Sequence, residues 1–261
     1  MPGMVVVKYQ EQCMICGSPL QYLQAAEDLT CSACGATWRG HITCPNGHAL
    51  CDACHGGEAR KIIEGMTLAD ASPDPLEIAE RMMAHASLPM LGCEHAFIAA
   101  GALLAALRNS PYGKMTEQDV REVFDRTAKQ ARGGYCGLTG VCGIAPALGA
   151  VVSVFLGARC GSDREQRIVM EAVTRAVRAI TDLTGPSCCK AYVRTTIPVA
   201  VTFFAEQFGI VLPMSASPVI CGHAERHPHG CREEKCPYYR KPAKDIFAEA
   251  KFIPGTVSCV T

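Results

Sequence analysis

Cys44-Pro-Asn-Gly47-His48-Ala-Leu-Cys51-Asp52-Ala-Cys54-His55 carries three cysteines and two histidines, and two knuckles precede it, Cys13-Met-Ile-Cys16-Gly17 and Cys31-Ser-Ala-Cys34-Gly35. Each Cys-x-x-Cys turns the chain so that two thiolates face one ion, and the following glycine permits the turn. Residues 11–57 have little periodic apolar pattern, so bound metal is expected to replace a hydrophobic core there. In chain order, Cys13, Cys16, Cys31 and Cys34 form one set of four ligands. Cys44, His48, Cys51 and Cys54 form a second, in which His55 could replace His48. An interleaved, cross-brace pairing of the same half-sites fits the spacing equally. Four protein ligands per ion leave no position for substrate, which favours structural zinc over rubredoxin-like iron. Trp38 and Arg39, beside the second knuckle, offer a surface on which a base could stack.

Beyond the knuckles the pattern changes to helix. Residues 58–74 read as a link ending in Ser72-Pro73-Asp74-Pro75. Caps and breakers then predict helices over Leu76–Ser87, Cys93–Asn109, Thr116–Arg132, Ala145–Leu156, Ser162–Leu183 and Ser187–Phe208. Thr116 is an expected N-cap, Ser162 with Glu165 an expected capping box, and Pro198 an expected kink. A short strand is expected over Met4–Tyr9 and a short helix over Asp245–Phe252. The expected fold is mainly α: a zinc-ribbon-like module with a little β-structure over residues 1–60, then an all-α, cysteine-rich domain over 75–261.

The chain of 261 residues is 49% hydrophobic but only 6% aromatic, so Ala, Val, Ile, Leu and Met must build the core. Its formal net charge of zero argues against a nucleic-acid partner held by a general basic field. No signal peptide and no apolar run of membrane-spanning length are read, so a cytoplasmic protein with no membrane partner is expected. Among reduced thiols, seventeen cysteines point to metal, cluster or catalysis rather than disulfides, and suit an anaerobe.

The later cysteines follow a second style. Cys93 opens a predicted helix after Gly92. Cys136 and Cys142 lie in Gly133-Gly-Tyr-Cys136-Gly-Leu-Thr-Gly-Val-Cys142-Gly143, and Cys188 and Cys189 follow Gly185-Pro186-Ser187. Free N–H groups and the positive end of the dipole favour thiolate at a helix start. Converging helix mouths would hold an iron–sulfur cluster or an anionic ligand, with Cys93, Cys136, Cys142, Cys188 and Cys189 as the ligand pool. The tail adds Cys221-Gly-His223, His227-Pro-His229-Gly-Cys231 and Cys236-Pro237. It could hold a second cluster or a third zinc through Cys231 and Cys236, or close as a lid that donates Cys221. Glu94 and His95 are candidate acid–base groups. Lys190 and Arg194 are candidate binders of a carboxylate or phosphate, and Cys188 and Cys189 candidate reactive thiols. Cys160 and Cys259 lack such surroundings. Dinucleotide-binding, Walker and nucleophile-elbow motifs are absent.

Cys44-x-x-Gly47-His48-x-x-Cys51-Asp52-x-Cys54-His55, Gly134-Tyr135-Cys136-Gly137 and Gly185-Pro186-x-Cys188-Cys189-Lys190 together resemble a cysteine-rich prokaryotic family, domain of unknown function 5714, over nearly the whole chain. That resemblance implies anaerobic bacteria or archaea and methyltransferase-like neighbours, and no established activity. Gly92-Cys93-Glu94 before the alanine-rich Ala99–Ala106, and Gly143-Ile-Ala-Pro146-Ala, resemble motifs of iron–sulfur serine dehydratases and cysteine desulfidases, in another order along the chain. This fainter resemblance implies, as chemical analogy, a [4Fe–4S] cluster with one open iron acting as a Lewis acid.

The functional expectation is a metalloprotein with two structural zinc sites and an iron–sulfur or reactive-thiolate site. Its chemistry would be sulfur transfer, lyase-type elimination or thiol redox on a small sulfur-containing or anionic substrate. Two alternatives are a non-enzymatic zinc module for a protein or nucleic-acid partner, with the helical domain as a homodimer scaffold, and a zinc-thiolate methyl-group acceptor.

Overall fold

The computed structural model describes residues 13, 15–113, 115–133, 135–183, 187–228 and 230–240, apart from the side chains of Tyr22, Asp52 and His55. The expected strand at Met4–Tyr9, the expected helix at Asp245–Phe252 and Cys259 lie outside these residues. The described residues form a two-stranded antiparallel hairpin, β1 (Gln21–Thr30) and β2 (Thr37–Thr43), followed by helices. These are α1 (Asp52–Ala69), α2 (Pro75–Ala84), α3 (Glu94–Asn109), α4 (Glu117–Gln130), α5 (Tyr135–Thr139), α6 (Ile144–Leu156), α7 (Asp163–Thr181) and α8 (Cys189–Phe208). The chain is mainly α with a small β-module ahead of the helices, as its sequence leads one to expect.

The link expected at 58–74 is instead most of α1. Its sequence holds three glycines, Gly56, Gly57 and Gly65, which lower helix propensity. Burial of Ala59, Ile63 and Thr67 against the helical body overrides that preference. α1 starts among the metal-ligand residues and ends in the hydrophobic core, so it couples the two parts of the chain.

Local signals account for most other helix ends. Asp74 Oδ1 accepts the N–H groups of Leu76 and Glu77 at 2.8 and 3.1 Å, and Pro75 takes the first helical position of α2. Thr116 and Asp119 form a reciprocal capping box at α4. The capping box expected at Ser162 does not form. Its hydroxyl accepts the Arg159 N–H at 3.1 Å and closes the preceding turn instead. Pro198 lies inside α8 without ending it.

α6, nearly all apolar, packs against α3, α4, α7 and α8 and is central, as expected. α3 is buried along almost its whole length. Its small residues let neighbours approach closely: a Cβ on Gly101 would come within 2.4 Å of Thr67 Oγ1 on α1. The starts of α3, α6 and α8 come near one another: the Gly92 N–H bonds Cys189, and a Cβ on Gly143 would lie 3.7 Å from Ala96 Cβ. After α8, Gly209 adopts φ 67° and turns the chain into a strap with little regular structure, anchored by buried Ile210 and Leu212.

Candidate metal centres and thiol sites

The hairpin explains how the knuckles pair. β1 and β2 run antiparallel with Gln21 opposite Thr43, so the residues before β1 and after β2 meet. Cys13 and Cys16 therefore join Cys44 and His48. Cys31 and Cys34 lie at the other end of the hairpin, beside Cys51 and Cys54 at the start of α1. Within each group the ligand atoms all lie within 4.8 Å of one another. The interleaved cross-brace is thus the arrangement found, and pairing in chain order is not.

Individual contacts have metal-site character. Cys16 and Cys44 sulfurs stand 3.4 Å apart, Cys34 and Cys51 3.7 Å, and Cys13 Sγ lies 3.8 Å from His48 Nδ1. Tetrahedral zinc with thiolate ligands requires sulfurs about 3.8 Å apart. Gly17 and Gly35 take φ of 72° and 73° at the knuckle turns, as only glycine readily does. Hydrogen bonds from Ser18 and Asn46 hold the exposed Cys16 thiol down at about 5, and the Cys51 N–H holds Cys31 at about 6. Crowding by the Cys34, Cys51 and Cys31 thiols pushes Cys54 up to about 12. Uneven proton affinity within a packed thiol set is what a bound cation removes, since it deprotonates its ligands together. Both groups can hold a metal ion, and their donor sets suit zinc.

The helix-mouth cysteines separate into two groups. Cys189, in the first turn of α8, accepts the Gly92 N–H on its sulfur and lies within electrostatic reach of Cys142 and Cys136. Cys142 accepts the Ile144 N–H at the start of α6. Cys136 is exposed, on the short α5. Cys93 is the N-cap of α3, one residue after the Gly92 that bonds Cys189. Cys188, adjacent to Cys189, faces the strap and lines a cavity with Cys221, Cys231 and Cys236. The expected single ligand pool is therefore divided between the adjacent cysteines Cys188 and Cys189.

Low thiol pKa values, expected from the helix dipole, are not found at Cys142, Cys188 and Cys189. Burial pushes Cys142 up to about 11 and Cys189 up to about 12, and raises Cys188 as well. Desolvation outweighs the dipole and the N–H donors at these three thiols, and a bound cation would favour their ionised form.

The expected polar partners are mostly interior. His95 has no exposed surface. Its Nδ1 lies 3.2 Å from the Gly92 carbonyl, its Nε2 meets no partner among the described residues, and burial drives its pKa to about 3. Glu94 is buried beside it. Lys190 is buried, donates to the Met83 carbonyl at 2.9 Å, and is lowered to about 8 by desolvation. Arg194 forms a two-point pair with Glu80 at 2.6 and 2.8 Å. Lys190 and Arg194 thus have structural partners where a substrate anion was expected. Cys160 is exposed, away from both thiol groups, on an open cleft with Arg126 and Arg159. No described helix is long and apolar enough to cross a membrane.

No curated protein and no solved structure matches the chain. A family model does match, over residues 63–239. The match takes in both helix-mouth groups and the strap but leaves out the cross-brace and its Cys44–His55 motif, so it is narrower than the resemblance read from the sequence. The chain belongs to this family, DUF5714, described as a family of unknown function.

Proposed function

We propose that the protein is a metalloprotein in which zinc fills the two cross-brace sites and fixes the N-terminal module, while chemistry takes place at the helix-mouth thiols. Cys136, Cys142 and Cys189 would hold an iron–sulfur cluster with three protein ligands. One iron would then lack a cysteine ligand and be open to substrate, with Cys93 next to the Gly92 that bonds Cys189. An open iron is a Lewis acid, which suits lyase-type elimination or sulfur transfer on a small sulfur-containing or anionic substrate. The observation that carries this reading is the approach of three cysteines, one on α5, one just before α6 and one in the first turn of α8, two half-buried and one exposed.

The test is purification without oxygen, followed by iron, zinc and acid-labile sulfide analysis and EPR of the reduced protein with and without added cysteine. The reading expects iron and sulfide that fall in a Cys136→Ser/Cys142→Ser variant, and a signal that shifts when the thiol is added. Colourless protein holding zinc alone would overturn it.

A further inference from the structure

The strap after α8 is fastened at several points. Ser215 N–H donates to Asp74 Oδ2 at 2.6 Å, at the start of α2. Further on, Cys221 N–H donates to the Tyr238 carbonyl at 2.7 Å, so the segment folds back on itself. Tyr238 is buried, with its hydroxyl 3.0 Å from Thr195 Oγ1 on α8. Between these fastenings the described residues form only two short 3₁₀ turns, at Ala224–Arg226 and Glu233–Lys235.

Four sulfurs converge under the strap. Cys188 at the N-cap of α8 lines one cavity with Cys221, Cys231 and Cys236, and Arg194 and Arg232 are part of its wall. Each sulfur meets a main-chain N–H two or three residues further on. Cys221 accepts from His223 at 3.4 Å and Cys231 from Glu233 at 3.3 Å. Cys188 accepts from Ala191 and Cys236 from Tyr238. Cys44 in the cross-brace accepts from Asn46 at 3.4 Å in the same way. Arg194 also hydrogen-bonds Cys221, and both arginines lie within electrostatic reach of Cys188.

The two cross-brace groups gather their ligand atoms within 4.8 Å, and no three of the strap sulfurs do so. One zinc would need sulfurs about 3.8 Å apart. A cubane cluster spreads its four cysteines over four different irons, so its ligands stand wider. With four thiolates it carries net negative charge, which the arginines complement, and main-chain N–H groups aimed at sulfur stabilise such a cluster. Cys236 is followed by proline, as the last cysteine of a cluster-binding run is.

We propose that Cys188, Cys221, Cys231 and Cys236 form a separate metal centre that holds a [4Fe–4S] cluster with every iron bound to cysteine. Such a cluster has no iron open to substrate and serves as a one-electron carrier, reduced by an external low-potential donor. It shares no ligand with the group at Cys136, Cys142 and Cys189, so the two readings stand or fall separately. Because Cys188 and Cys189 are adjacent, a single peptide unit joins a ligand of one centre to a ligand of the other.

Two variants of the full chain, made without oxygen, test this. Cys136→Ser/Cys142→Ser should keep about four iron and four sulfide per chain. Its EPR signal after dithionite reduction should not shift with added cysteine. Cys231→Ser/Cys236→Ser should lose about the same amount of iron relative to the unmodified protein. Zinc in place of iron in the first variant, a cysteine-sensitive signal there, or full iron retention in the second would overturn the proposal. The first variant leaves the strap intact, so a folding failure of the second does not decide the outcome.

Discussion

Asp74 joins two parts of the molecule with one carboxylate, and its removal gives a graded expectation. Oδ1 caps α2 through Leu76 and Glu77, and Oδ2 accepts the Ser215 N–H of the strap at 2.6 Å, with the side chain largely buried. Loss of the cap costs about 1 kcal/mol. Loss of a charge-assisted bond costs about 1.5–3 kcal/mol. Asp74→Ala should therefore destabilise by about 3 kcal/mol. Asp74→Asn keeps a capping oxygen but turns an amide towards Ser215, and should cost about 2 kcal/mol. For a domain of this size each kcal/mol lowers the Tm by about 2–4 °C, so shifts of about 6–12 °C and 4–8 °C are expected. The assay is thermal unfolding of anaerobic, metal-replete protein at matched loading, with hydrogen exchange at the Ser215 amide. Faster Ser215 exchange is expected in both variants. A cost below about 1 kcal/mol for Asp74→Ala, or unchanged Ser215 exchange in either variant, would refute the linkage.

Three further outcomes are expected. Cys44→Ala should lower zinc content by one of the two expected equivalents while the Cys31, Cys34, Cys51 and Cys54 site keeps its metal, as read by elemental analysis. Gly149→Leu should destabilise the α6–α7 contact by about 1–3 kcal/mol in urea unfolding, since even a Cβ there would lie 2.5 Å from Val173 Cγ2. Glu80→Ala should cost about 3 kcal/mol by leaving the buried Arg194 guanidinium without its carboxylate, and Glu80→Ala/Arg194→Met should recover part of that loss.

Much of the secondary structure was legible because its causes are local. The Thr116 N-cap, the Ser72-Pro73-Asp74-Pro75 break before α2 and the apolar run of α6 sit in consecutive residues. α1 was not legible, because its glycines argue against helix while burial of Ile63 argues for it, and burial depends on partners distant in sequence. A small β-module was expected there, but the positions of its two strands were not legible, since they are largely solvent-exposed and show little apolar alternation.

By itself the sequence determined which residues form half-sites able to ligate metal, and that helices follow. Cysteine spacing and capping chemistry act over a few residues and need no knowledge of the fold. Tertiary structure decided three things. The hairpin brought the first half-site to the third. Burial overrode the helix dipole at Cys142, Cys188 and Cys189. The turn into α8 sent the adjacent Cys188 and Cys189 towards different groups. Each depends on what a side chain meets across the fold, and neighbouring residues at a helix start project in different directions.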